Sequence, residues 1–359
     1  MVEQKDCNDQ LNNYINIFFK DALKVVYSNP TMLKTVLQAV QFQKKAAQKR
    51  AEHEKLGLQV PPYMVISTTN ECNLHCKGCY SRAQHRPIEQ EMDSVQLRSV
   101  IEQARDLGIS FILLAGGEPL IRPDILDITN DFYDVVFPLF TNGLLLTDEN
   151  INKLKNQKNV IPIISIEGDE SQTDSRRGAG VYKQLEDKIV SISKAGIFYG
   201  LSFTVTRSNF QTLTNQSFIK EIIKSGCQLF FFIEYIPVKE ETEDNMITDQ
   251  QRAELAAILD NYRAKLPGLF ISFPGDEEIY GGCLSAGRGF IHVSAGGDLE
   301  PCPFAPYSDT NLKDLTLKDA LQSKLLREIR ANSQELTETH GGCALWEKRE
   351  WVKSLIDKD

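Results

Sequence analysis

The sequence predicts an α/β fold in which six strand–helix units build a parallel sheet that curls toward a barrel. Three observations carry this. Short apolar runs recur at YMVIST (63–68), FILLA (111–115), VVFPLF (135–140), IPIISI (161–166), FYGLSFTVT (198–206) and LFFFIEYI (229–236). Helical stretches lie between them, near 94–107, 123–133, 148–156, 181–195 and 215–225. Each unusual motif stands directly after a strand: ECNLHCKGCY after the first, GGEP the second, TNG the third, EGD the fourth and TRSN the fifth. The runs are nearly continuous, as parallel strands buried on both faces are. Strand–helix–strand units in series close with right-handed crossovers. In such folds the loops at the carboxyl ends of the strands gather around one site, so motifs far apart in sequence converge.

Ahead of the sheet, residues 1–60 read as a helical extension. Leu11, Tyr14, Ile15, Phe18, Phe19 and Leu23 recur at helical spacing. Asn29 and Pro30 then suit an N-cap and first helical position. Met32, Leu33, Val36, Leu37 and Val40 form a second stripe on a helix that runs on to Gly57. A helix packed on the main domain is the simpler reading; the other is an amphipathic lid or membrane-surface contact using Lys44, Lys45, Lys49 and Arg50. After about residue 270 the texture turns Gly- and Pro-rich. FIHV and LEPC flank a Gly-Gly turn and predict a hairpin, with a helix near 316–331 beyond it. The expected division is therefore a helical extension (1–60), a core (61–270) and a small α+β domain (271–359).

A chain that is 42% hydrophobic and 25% charged has the make-up of an ordinary globular protein. Its formal net charge of -9 argues against a general nucleic-acid binder. It has no apolar run of about 18 residues, so no membrane span is expected. The polar opening MVEQKDCNDQ does not read as a signal peptide. Eight cysteines are too sparse for a disulfide scaffold. In a reducing cytosol clustered cysteines are more often metal ligands or catalytic groups, and a cytoplasmic location is expected.

Cys72, Cys76 and Cys79 supply three thiolates at C-x3-C-x2-C spacing. Four cysteines close an iron–sulfur cubane; three leave one iron open to another ligand. The competing reading is a zinc knuckle completed by His75 or His85. Followed by GGEP after the second strand, this loop resembles the radical S-adenosylmethionine (SAM) superfamily, over about residues 61–359. The resemblance implies a partial (β/α)6, TIM-like barrel and a [4Fe–4S] cluster on the three cysteines. SAM would chelate the open iron, and one electron would cleave it to methionine and a 5′-deoxyadenosyl radical that abstracts a substrate hydrogen. A reductant such as flavodoxin or ferredoxin is the implied partner.

The same resemblance implies roles for single residues. Gly116 and Gly117 let backbone approach the ligand closely, and Glu118 accepts from the methionine ammonium. Ser165 contacts SAM after the fourth strand. Arg177 takes the SAM carboxylate, with Arg176 turned toward solvent. Gly78, Tyr80 and the backbone at Ile236 surround the adenine. Thr141 and Asn142 reach SAM or substrate, or simply close a turn.

A second set, Cys283, Cys302 and Cys343, includes the spacing C-x13-G-x4-C through Gly297. With PCPF and TNLKDLTLKDAL after it, this stretch resembles the auxiliary-cluster domains called SPASM and Twitch. One auxiliary [4Fe–4S] cluster is implied, its fourth ligand being Glu277, Glu278, His340 or the substrate. Three unrelated structural cysteines are the alternative. Cys7 and Cys227 read as bystanders, and KEETEDN (239–245) as a solvated loop. The expected activity is radical-initiated modification of a peptide, protein or cofactor precursor. A lipid or tetrapyrrole substrate is the second enzymatic reading, and a non-catalytic iron–sulfur electron carrier the reading from another class.

Overall fold

The computed structural model describes residues 15, 22, 33–84, 90–239, 241–274, 282–336 and 343–356. The six expected strands form as β1 (Tyr63–Thr69), β2 (Phe111–Gly116), β3 (Phe137–Thr141), β4 (Val160–Ser165), β5 (Gly200–Val205) and β6 (Leu229–Glu234). Three more extend the sheet: β7 (Leu269–Phe273), β8 (Phe290–Val293) and β9 (Leu299–Glu300). The order is β7-β6-β5-β4-β3-β2-β1-β8-β9, parallel except for the β8–β9 hairpin. The boundary expected at residue 270 therefore falls inside β7. The C-terminal hairpin is no separate layer either, because β8 pairs with β1 through Tyr63↔Phe290 to Ile66↔Val293. Apolar residues on both sides of the expected boundary, such as Ile66, Val293 and Leu326, belong to one hydrophobic core.

The first helix described in full, α1 (Leu33–Lys55), packs on the core. Arg50 is buried and donates to the Gly108 carbonyl at 2.6 Å, and Lys49 Nζ donates to the Arg105 carbonyl at 3.3 Å. Both serve the carbonyl end of the next long helix, where a cation is favoured. Two of the four basic residues offered for a membrane surface are thus spent on packing. Among the described residues no helix is long and apolar enough to cross a membrane. Ile15 and Ala22 are buried in the same apolar cluster as Val36. The rest of the first stripe, with Asn29, Pro30, Cys7, His85, Glu277, Glu278 and His340, lies outside the described residues.

The crossover helices largely follow their sequence signals. Next in order come α2 (Tyr80–Ala83), α3 (Ser94–Leu107), α4 (Ile125–Asn130) and α5 (Asp148–Asn156). Helix α3 opens on an Asp93–Gln96 capping box and stops at Gly108, whose φ is +95°. An unanticipated helix, α6 (Glu170–Arg177), precedes α7 (Val181–Lys194). It starts at a second capping box, Asp169 with Gln172, and carries the arginines of the candidate site. Then follow α8 (Phe210–Leu213), α9 (Gln216–Lys224) and α10 (Asp249–Lys265). The single helix expected near 316–331 is two, α11 (Leu317–Ala320) and α12 (Lys324–Ala331), each with its own cap at Thr316 and Ser323. Helices α13 (Ala344–Glu347) and α14 (Arg349–Ser354) end the described chain.

Candidate functional site

The segments after β1, β2, β3, β4 and β6 converge with the C-terminal cysteines around a cavity of about 720 Å³. Of the residues singled out above, Cys72, Cys76, Gly78, Cys79, Tyr80, Gly116, Gly117, Ser165, Arg177 and Ile236 line it, and so do Cys283, Cys302 and Cys343. Two sets of three thiols therefore face one space, although up to 271 positions of sequence separate them.

The cysteine loop leaves β1 and is tied down on both flanks. On one side Asn142 Nδ2 donates to Asn73 Oδ1 at 2.7 Å and lies 3.8 Å from Cys72 Sγ. On the other, Lys77 N donates to the Arg176 carbonyl at 2.8 Å while Arg176 Nε donates back to the Lys77 carbonyl at 3.1 Å. Gly78 has φ +65°, and a Cβ there would stand 2.7 Å from the ring and hydroxyl of Tyr235. The next strand's loop presses equally close. A Cβ on Gly117 would lie 2.0 Å from the Glu71 carbonyl oxygen, and one on Gly116 2.6 Å from that of Thr69. These glycines let two backbones pass where no side chain fits.

Glu118 has a different task from the one expected. It is fully buried; Oε1 accepts from Leu120 N and Thr141 Oγ1 at 3.1 and 2.7 Å, and Oε2 from Asn142 N at 2.7 Å. Its carboxylate joins the GGEP loop to the TNG loop, and Thr141, which lines the cavity, closes that link through its hydroxyl. Burial raises its proton affinity against those hydrogen bonds and the nearby Arg177.

Arg176 does not face solvent. Glu167, only 2% exposed in its side chain, receives Arg176 Nη1 at 3.1 Å and Arg177 Nη2 at 2.5 Å. Arg176 thereby holds the cysteine loop, and Arg177 lines the cavity with its Nε lacking a partner. Both arginines favour thiolate at Cys76, although burial is the larger effect and raises it. Burial likewise raises Cys72.

In the second set, Cys302 contacts Cys343 and feels Cys283, and burial followed by that crowding raises its thiol well above the ordinary range. Cys283 Sγ donates to Ser285 Oγ at 3.2 Å. Tyr80 and Phe304, both on the cavity, stand with ring centroids 5.0 Å apart. Ser165 Oγ lies 3.1 Å from Ser202 Oγ.

These residues fit the groups that the sequence implied. The donors are thiols held on tight backbone, and cationic iron would offset the unfavourable crowding of their charged forms. Among the described residues no three His, Cys, Asp or Glu side chains converge on a single metal ion. A cubane gives each thiolate its own iron, so its cysteines need only surround a shared space. Arg177 Nε and the Tyr235 hydroxyl are buried without hydrogen-bond partners on this cavity, ready for a polar ligand. Tyr235 and Glu167 escaped the sequence reading. Glu167 stood inside the EGD motif; Tyr235 gave no signal beyond standing next to Ile236.

Comparison with known proteins agrees with this geometry. Residues 66–213 match the family described as the Radical SAM superfamily. The chain is 26% identical over 310 residues to an AdoMet-dependent heme synthase of Methanosarcina barkeri, covering 79% of this chain and 88% of that protein. It is 28% identical over 207 residues to the sporulation killing factor maturation protein SkfB of Bacillus subtilis, covering 56% and 50%. Among solved structures, Streptococcus suis SuiB bound to S-adenosylmethionine superposes with a TM-score of 0.65 at 16% identity, over 84% of this chain and 76% of that one. The cysteine loop after β1 and the GG turn on β2 both lie within residues 66–213, the stretch that matches the Radical SAM superfamily, whose enzymes use a [4Fe–4S] cluster and S-adenosylmethionine.

Proposed function

We propose that this enzyme uses SAM to remove a hydrogen atom from a peptide, protein or cofactor precursor, and that a second cluster takes part. Cys72, Cys76 and Cys79 hold the SAM-binding cluster. Cys283, Cys302 and Cys343 hold an auxiliary [4Fe–4S] cluster. When bound, the first cluster supplies the electron that cleaves the sulfonium of SAM. The chain's own residues do the rest. Gly116 and Gly117 bring backbone against the methionine end, Arg177 pairs with its carboxylate, and Ser165, Gly78, Tyr80 and Ile236 line the nucleoside end. The carrying observation is that both cysteine sets face one cavity, so a substrate between them lies near each.

The relatives support a maturase-like reading through SkfB, a maturation protein. The likeness to SuiB, solved in another crystal with its precursor peptide SuiA, supports only the shared fold. A tetrapyrrole is the second reading, favoured by the heme synthases that align over most of both chains. The test is anaerobic reconstitution with dithionite and SAM. Formation of 5′-deoxyadenosine that disappears in Cys76→Ala is expected; an intact cluster that forms none would make the protein an electron carrier. Adding candidate peptides or iron-coproporphyrin to the same assay separates the two substrate readings by which one is consumed.

A further inference from the structure

The cavity does not end at the cysteine loops. It continues down the barrel between the inner faces of the strands, walled by Tyr63, Leu113, Phe140, Ile161, Phe198 and Ile233. Strand alternation makes the contrast plain. The helix-facing residues Met64, Ile112, Leu139, Phe203 and Phe232 are 0% exposed. The six wall residues keep part of their surface accessible, while Phe111, Leu229 and Phe231 beside them on the lining are buried. In closed barrels of this type the inward residues are the packed core. Here they are large and apolar; most of them pack against a buried cluster that includes Ile15, Ala22 and Val36, and they still keep part of their surface on the cavity.

The wall is continuous and aromatic. Phe140 meets Phe231 edge-on at 5.1 Å, and Phe231 stacks with Phe273 at 6.2 Å. Phe273, on the edge strand β7, is 41% exposed. Phe140 directly precedes Thr141 and Asn142 of the cluster-side loop, so the wall begins where the candidate site ends. Val36 and Ala39 of α1 line the opposite end. Apolar walls hold water poorly and gain by meeting an apolar group.

We propose that this chamber binds a bulky apolar group of the substrate, aromatic or hydrocarbon, and so seats the neighbouring atom beneath the cysteine loop. The inference deepens the proposed function and rests on it only for what happens at the reacting end. It implies that substrates lacking such a group bind weakly even when their reacting end is intact.

The test is titration of the anaerobically reconstituted full chain with N-phenyl-1-naphthylamine, an uncharged apolar fluorophore. Saturable binding is expected. It should weaken by roughly tenfold or more in Ile161→Trp and in Leu113→Phe, which fill the chamber, with SAM affinity and melting curve unchanged. Absence of saturable binding in the wild type, or undiminished binding in the filled variants, overturns the proposal. If Ile161→Trp does not fold, Leu113→Phe, which adds less volume, decides alone. 5′-Deoxyadenosine formation is assayed on the same preparations. A protein that binds the probe but makes none contradicts the proposed function and leaves the chamber standing; the opposite pattern does the reverse.

Discussion

Gly117 and Glu167 show how single residues set this site. An alanine methyl at 117 would overlap the Glu71 carbonyl oxygen, and backbone cannot move aside as a flexible side chain does. Gly117→Ala should therefore weaken SAM binding by about tenfold or more, read by calorimetry on reconstituted protein; unchanged affinity would mean that the two loops separate freely. Glu167 is a buried anion between two guanidinium groups. Removing one partner of such a buried group strands the others' charge, so Glu167→Ala should lower the unfolding free energy by about 3–5 kcal/mol in a denaturant titration. It should also free the cysteine loop at Lys77, since Arg176 loses the anchor that aims it there. The two changes act on opposite flanks of one loop.

At the scale of elements, the β1–β8 pairing has four register pairs, with β9 only two residues long beyond it. Pairing so short specifies its own register weakly. A buried polar chain supplies what the backbone does not. Ser67 Oγ on β1 lies 2.8 Å from His292 Nε2 on β8, and His292 Nδ1 lies 2.7 Å from Glu300 Oε2 on β9. All three residues are at most 3% exposed. A slip of β8 along β1 by one residue would break the Ser67–His292 contact and shift the hairpin that carries Cys302, two positions past Glu300. His292→Leu removes a buried hydrogen-bond partner from both Ser67 and Glu300 and should cost about 3–5 kcal/mol in the same titration.

For the whole molecule the decisive number is iron. Two cubanes require about eight irons per reconstituted chain, and Cys76→Ala should keep about four, measured by iron and sulfide analysis. A wild-type value of about four would leave Cys283, Cys302 and Cys343 as structural thiols. The sheet brings the two cysteine sets to one cavity: β8 and β9 continue it past β1, carrying the second set around to face the first.

Much of this was legible before any coordinates. Six strands, most crossover helices and the loop of Cys72, Cys76 and Cys79 announce themselves through local periodicity and close spacing, which act over a few residues. Arg177 and the GG turn could be named by resemblance, but Glu118, Arg176 and Glu167 took their roles from hydrogen bonds that no spacing encodes. The single-helix reading of 316–331 failed because Thr316 and Ser323 each cap a helix, a local signal that the apolar stripe masked. By itself the sequence determined the strand–helix series and the chemistry of its thiols, since both follow from residues near one another in the chain. Only the tertiary structure decided that the C-terminal hairpin joins the core sheet, that Ser67 meets His292, and that the cavity reaches past the cysteine loops to the inner faces of the strands. Each depends on packing between segments whose separation along the chain leaves no pattern to read.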